Sequence, residues 1–318
     1  MATGIEWTDQ VWNPVRGCSM VSPGCTNCYA MKFAGRFSGK GQPYNGLVGW
    51  NSKGPRWNGE IVLVPAKLDD PLHWRKPRRV FVNSMSDLFH DGVPDDYIRD
   101  IFAVMAEAGS HTFQVLTKRA SRMEQWFGSW AGSQAADYAT EIGVEWPLPN
   151  VWLGVSVENQ DFVHERIPAL LSTPARIRFV SAEPLLGPID LECVECPVYH
   201  TDPDDELEPD CSLCMSVPEE IQPSCRDGAF SALDAGIHWV IVGCESGPKK
   251  HVRPMDESWV RDLQRQCSIS GTAFFYKQAK DERGKVVSLP LLDGKRWSEY
   301  PDEQRTRIQN GPKGARSF

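Results

Sequence analysis

Six short apolar runs punctuate this chain, and each stops abruptly at polar or small residues. They are Arg79–Ser84, Thr112–Lys118, Val151–Glu158, Ile177–Glu183, His238–Glu245 and Thr272–Gln278. Runs this short and this continuously apolar are what strands covered on both faces look like, because no face is left to meet water. Between them lie stretches with apolar residues at helical spacing: Asp95–Ala108, Val163–Leu171 and Ser258–Cys267. Alternating strand and helix predicts an α/β fold with a parallel sheet, a partial or complete (β/α) barrel. The 318 residues suffice for such a unit.

In parallel α/β folds chemistry collects where the strands end, because the following loops converge there. The polar residues that close the runs are therefore the first candidates for a site. They are Ser84, Met85, Ser86 and Asp87 after one run; Thr117 and Lys118, Ser156 and Glu158, and Ser181 and Glu183 after the next three; and Glu245 with Ser246, and Lys277 with Gln278, after the last two. One glutamate after a strand is ordinarily a helix cap or a surface residue. Six such ends together point to a site. The Gly-, Trp- and Asn-rich stretch Phe37–Pro65 lacks periodicity and reads as a long loop holding at most a hairpin. Its Tyr44, Trp50 and Trp57 either stack on a flat substrate or cover the core.

Cys18, Cys25 and Cys28 stand close together near the amino terminus, separated by six and then two residues, and no His or further Cys lies near them in sequence. A closed structural zinc site needs four ligands. Three thiolates on a four-iron cluster instead leave one iron open. Zinc completed by a distant ligand is the competing reading. No apolar run approaches a membrane span and Met1–Gln10 lacks the regions of a secretory signal, so a cytoplasmic location and no membrane partner are expected. In that compartment ten cysteines read as metal ligands before they read as disulfides.

After the fourth of these six runs the pattern breaks. Cys193 and Cys196, then fourteen residues, then Cys211 and Cys214 form two knuckles of the kind that hold four-thiolate zinc, with an auxiliary iron-sulfur cluster as the alternative. Cys225 and His200 are spare candidates. The domain reading is a barrel built from 1–189 and 237–318 and an acidic, metal-folded insert at 190–236. From Asp190 to Ser224 the charge is −11, which leaves the rest of the chain at +3 against a total of −8. The body is thus mildly basic, with clusters at Arg75–Arg79 and Lys249–Arg253 placed to meet phosphates.

Several phrases carry a resemblance over nearly the whole chain: Trp12-Asn13-Pro14-Val15-Arg16-Gly17-Cys18, Asn83-Ser84-Met85-Ser86-Asp87-Leu88-Phe89, Leu116-Thr117-Lys118-Arg119, Trp152-Leu153-Gly154-Val155-Ser156-Val157-Glu158-Asn159, Glu183-Pro184-Leu185-Leu186-Gly187-Pro188 and Gly243-Cys244-Glu245-Ser246-Gly247. They resemble the phage-associated three-Cys-motif family, of unknown function and radical SAM-like. Cys244 departs from it, standing where the family usually shows Gly.

The resemblance implies a barrel of the radical SAM type. Cys18, Cys25 and Cys28 would hold a [4Fe-4S] cluster whose open iron takes S-adenosylmethionine, cleaved by one electron from a reductase to give a 5′-deoxyadenosyl radical. Ser84, Met85 and Asp87 would meet the methionine amine, Ser156 and Glu158 the ribose hydroxyls. Glu183 and Glu245, with Lys118, would handle cofactor or substrate. The expected task is nucleobase modification of phage DNA inside the bacterial host, a rearrangement of an amino-acid adduct on thymine by a flipped-base route. The alternatives are a lyase on damaged pyrimidines and a zinc-binding adaptor without catalysis.

Overall fold

The computed structural model describes residues 4–195, 229–247 and 252–301. Its main sheet has eight strands: β1 (Gln10–Trp12), β2 (Arg79–Val82), β3 (Thr112–Thr117), β4 (Val151–Ser156), β5 (Ile177–Ala182), β6 (Trp239–Gly243), β7 (Ala273–Lys280) and β8 (Val286–Ser288). The spatial order is the chain order. β1 to β7 run parallel and β8 returns antiparallel along β7. Since β1 and β8 each have a single neighbour, the sheet curls as a half-barrel and does not close. The expected alternation of strand and helix is present; of the partial and complete barrels, the partial one is observed.

The helices are α1 (Tyr29–Arg36), α2 (Asp95–Glu107), α3 (Ala120–Phe127), α4 (Trp130–Glu141), α5 (Gln160–Ser172) and α6 (Glu257–Ser270). Local chemistry sets their ends. The Asn159 side chain accepts the Phe162 N–H to start α5, and Asp256 accepts the Ser258 N–H to start α6. Gly271, in the left-handed conformation at φ 73°, ends α6. The predicted helices at 95–108, 163–171 and 258–267 are α2, α5 and α6, the last two longer than their apolar spacing showed. Neither α3 nor α4 was expected. α4 buries Ala131, Gly132, Ala135 and Ala139, residues too small to write an apolar stripe. Among the described residues no helix is long and apolar enough to cross a membrane.

Two apolar layers follow from the strand period of two. Val80, Val115, Leu153, Val180 and Val240 face the helices and join the main core with Ile101, Met105, Ile167 and Leu263. The opposite face is built in rows fixed by the register. Phe81, Gln114, Trp152 and Ile177 lie side by side; above them come Gly154, Phe179, Trp239 and Ala273; above those, Ser156, Ser181, Ile241 and Phe275. Trp7 plugs this face, its ring 4.7 Å from that of Phe81 and 6.2 Å, edge-on, from that of Trp239. Gly154 is required here, because a Cβ would sit 2.6 Å from the Phe179 ring. The half-barrel therefore has a largely aromatic floor, in which buried Gln114 donates from Nε2 to the Trp7 carbonyl at 3.3 Å, and the chain turns polar where the strands end.

The loop expected at 37–65 does contain a hairpin, Val48–Asn51 paired with Gly54–Trp57. Tyr44 and Trp57 are buried in a small separate core with Ala30, Met31, Leu47 and Met85, against which Cys18 and Cys28 pack. Trp50 is 66% exposed. Of the proposed insert, Val194–Glu195 pairs with Ala229–Phe230, and Leu191, Val194 and Phe230 are buried in the main core. Cys193 is exposed. Cys196, Cys211 and Cys214 lie outside the described residues, as do Cys225 and His200.

Candidate functional site

Above the floor, where the strands end, opens a cavity of about 1120 Å³ with its mouth included. All three cysteines of the amino-terminal trio line it, with Ser84, Met85 and Asp87 from the end of β2. Lys118, Ser156, Glu183 and Glu245 line it from the ends of β3, β4, β5 and β6. Among the described residues, the candidates read from sequence are thus brought together, with two exceptions. Cys193 does not line the cavity, and Glu158 stands one layer behind it.

The reason Glu158 stands back is its pairing. It is fully buried; Oε2 accepts from Arg166 at 3.2 Å, and Oε1 accepts from the Lys118 ammonium and, at 2.8 Å, from the Ser22 hydroxyl. Ser22 belongs to the cysteine loop, which passes so close that a Cβ on Gly24 would fall 2.2 Å from Glu158 Oε1. Glu245 fastens the other flank of that loop. Its Oε2 accepts from Asn27 Nδ2 at 2.9 Å and from the Arg253 backbone at 2.8 Å, while the Arg253 guanidinium also donates to Glu245 and to the Pro23 carbonyl. Burial alone would raise the Glu245 carboxyl, but the bonds from Arg253 and Asn27 outweigh it and hold it below its ordinary value.

Asp87 is equally engaged. It accepts from the Thr117 hydroxyl at 2.7 Å, from the Phe89 and Lys118 backbones at 3.0 and 3.1 Å, and from Arg119 Nη1 at 3.0 Å. That Arg119 nitrogen is also 3.9 Å from the Cys18 sulfur, and Nη2 donates to the Ser19 hydroxyl at 2.7 Å. The three carboxylates Asp87, Glu158 and Glu245 therefore act as fasteners: each binds an arginine and fixes the frame around the cysteines. Sequence alone shows the carboxylates without their distant partners.

Other groups are left free to meet a ligand. Asn83 lines the cavity directly after β2 in the left-handed conformation at φ 59°, which asparagine tolerates better than most residues. Its Oδ1 accepts from the Val15 backbone at 3.3 Å, whereas Nδ2 is buried without a hydrogen-bond partner. Glu183 Oε1 is likewise without a hydrogen bond, although Lys277 Nζ lies 3.0 Å away: the distance suits an ion pair and the alignment does not suit a bond. Gly243 makes room for that carboxylate, since a Cβ there would lie 2.3 Å from it. Asn83 was missed in the sequence; its signal is an amide immediately after an apolar run.

Burial pushes the Cys18 thiol up to about 12, with Asp87 adding to the rise and Arg119 opposing it, and burial also raises Cys28. A cation must therefore displace protons to be bound by these sulfurs. Among the described residues no group of three or more His, Cys, Asp or Glu is set to hold a single metal ion. A four-iron cluster takes each thiolate at a different iron and asks for no common point. The fit to such a group rests on three soft ligands from one fastened loop, on the Asn83 amide nitrogen that lacks a hydrogen bond beside them, and on the space available. Cys244, buried and pushed up to about 11 by burial, also lines the cavity.

A family model described as a protein of unknown function, DUF5131, matches residues 2–301. The chain belongs to that family. No curated protein and no solved structure matches it.

Proposed function

We propose that this DUF5131 member is a radical S-adenosylmethionine enzyme whose [4Fe-4S] cluster is held by Cys18, Cys25 and Cys28. The observation that carries the reading is the opening of all three cysteines onto one cavity at the strand ends of a half-barrel, beside an Asn83 amide nitrogen that makes no hydrogen bond among the described residues. Bound there, cluster and cofactor supply one-electron cleavage of the sulfonium, the source of a 5′-deoxyadenosyl radical. The sequence resemblance to a phage-associated, radical SAM-like family supports the same assignment.

The chain's own residues supply position and dryness. Asn83 Nδ2 would donate to the methionine carboxylate, and the Ser84–Met85 edge beside it would meet the amine. Ser156 would meet a ribose hydroxyl. Glu183 and Lys277, paired on the β5 and β7 ends, hold and move a proton at the substrate. Beneath them the Trp7 floor excludes water that would quench a radical. Asp87, Glu158 and Glu245 keep the cysteine loop in register with these groups. The substrate in this reading is a nucleobase of phage DNA, an amino-acid-modified thymine that is rearranged, with a reductase as electron donor. Cys193, Cys196, Cys211 and Cys214 complete the proposal as a zinc site in the insert.

Anaerobic purification followed by iron and sulfide analysis tests the assignment. Four irons at the trio, a broad visible absorbance, and release of 5′-deoxyadenosine with reductant are expected; Cys25→Ala should lose all three while keeping the far-UV circular dichroism of the parent. A colourless protein carrying zinc alone at the trio would sink the reading.

A further inference from the structure

From Gln10 to Gly59 the chain has four arginine or lysine residues on or beside α1 and the hairpin, Lys32, Arg36, Lys53 and Arg56, two more at Arg16 and Lys40, and no aspartate or glutamate. Fifty residues at +6 in a protein of −8 are a strong local asymmetry. This is the segment that carries the cysteine loop, α1 and the hairpin. The hairpin lies on α1 closely enough that Gly35 is required, since a Cβ there would meet Pro55 at 2.7 Å and the Trp50 ring at 3.6 Å.

The same segment displays its aromatic residues. Tyr29, Phe33, Phe37 and Trp50 are 46, 45, 39 and 66% exposed. Tyr29 lines the cavity, with its hydroxyl donating to the Ser84 carbonyl at 2.8 Å, and the Phe33 and Phe37 rings lie 4.9 Å apart one turn further on. Beside them two lysines bond the turn at the rim, and Arg56 stands on the hairpin that packs against α1. Lys32 Nζ donates to the Ser246 carbonyl at 3.3 Å, and Lys280 Nζ donates to the Gly247 carbonyl of the same turn. Arg56 is near enough that its charge and that of Lys280 bear on Lys32: burial pulls the Lys32 ammonium below its ordinary value, both cations add to this, and Glu245 opposes it. Glu245 is itself spent on Arg253 and Asn27. The carboxylates that face the cavity, Asp87, Glu183 and Glu245, are each matched to a cation of their own.

We infer that the α1–hairpin face is the docking surface for a single-stranded or locally opened nucleic acid, with Lys32, Arg56 and Lys280 taking a phosphate at the cavity rim and Trp50 and Phe33 stacking on bases beside the target. S-adenosylmethionine has no phosphate, so three cations without a carboxylate partner among the described residues are not accounted for by that cofactor. Exposed rings interleaved with cations are how sequence-tolerant strand binding works: rings hold any base by its flat face while cations follow the backbone. The inference deepens the proposed function and rests on it only for what happens to the base inside the cavity.

Fluorescence anisotropy tests it, using the anaerobically purified full chain without S-adenosylmethionine and a labelled single-stranded 12-nucleotide DNA, over a series of salt concentrations. The triple variant Lys32→Gln, Arg56→Gln, Lys280→Gln should lower the slope of log affinity against log salt by about 0.7, as loss of one phosphate contact on a single strand requires. Trp50→Ala, at a side chain that supports no core, should weaken binding at least about fivefold. Arg265→Gln, on the outer side of α6, should change neither. Parental affinity and slope in the triple variant would overturn the inference, as would displacement of the DNA by polyglutamate at matched charge, which would mark the face as a site for acidic protein. Strand binding that persists in a protein lacking iron sinks the proposed function alone; an iron-loaded protein indifferent to these variants sinks the docking surface alone.

Discussion

The floor and the mouth of the half-barrel share the same strands and the same face, four residues apart, yet they are built on opposite terms. On β4 the step runs from Trp152 through Gly154 to Ser156, on β5 from Phe179 through Ser181 to Glu183, and on β6 from Trp239 through Ile241 to Gly243. The lower residues meet ring against ring, with Trp239 5.7 Å from both Trp152 and Phe179. At and just past the strand ends the contacts are made through charge: Glu183 pairs with Lys277, and Asp87, Glu158 and Glu245 are tied to arginines. Stability is concentrated below and chemistry above, because close-packed rings tolerate little change whereas paired or solvent-facing polar groups leave space for a ligand.

Substitutions graded by height along the strands sharpen or break this contrast. Trp239→Ala in the floor should cost about 3–5 kcal/mol by chemical denaturation, from lost burial and the cavity left behind. A cost under roughly 1 kcal/mol would show that the floor is not the structural centre.

At the underside, His238 begins the step into β6 with Nδ1 accepting the Arg178 backbone N–H at 3.0 Å. Burial, with the Arg178 cation adding, pulls its pKa down to about 4 from 6.5. The folded chain thus keeps it neutral where the unfolded chain binds a proton. Its contribution is fully present above about pH 6.5, is lost as pH falls toward 4, and levels off below, amounting to about 3 kcal/mol. Denaturation of parent and His238→Gln across that window checks the sign: the difference between them should change with pH, and a constant difference would contradict it.

Gly154→Ala should cost about 1–3 kcal/mol by pressing a methyl into the Phe179 ring. The smallest effect is expected in the mouth. Ser156→Ala removes one cavity-facing hydroxyl and should change stability by less than about 0.5 kcal/mol. Equal losses at Gly154 and Ser156 would erase the distinction between the two levels.

The strands were legible because burial on both faces leaves an unbroken apolar run, as at Trp239–Gly243. α4 was not, because its contact face is made of alanine and glycine. In the site, the pattern of residues that end the strands showed which groups meet. It did not show which of them are free: Asp87, Glu158 and Glu245 have the look of ligands until Arg119, Arg166 and Arg253 arrive from 32, 8 and 8 residues away. The basic face of α1 was not legible because its cations are spread singly from Arg16 to Arg56, unlike the runs at Arg75–Arg79 and Lys249–Arg253.

The fastening of the cysteine loop by Glu158 on one flank and Glu245 on the other has a consequence for maturation. A loop tied to two strand ends by carboxylate bridges does not wait for a metal to give it shape. Under the proposed reading, iron would be loaded onto a finished scaffold, and a carrier would have to reach into an already formed basin to deliver it.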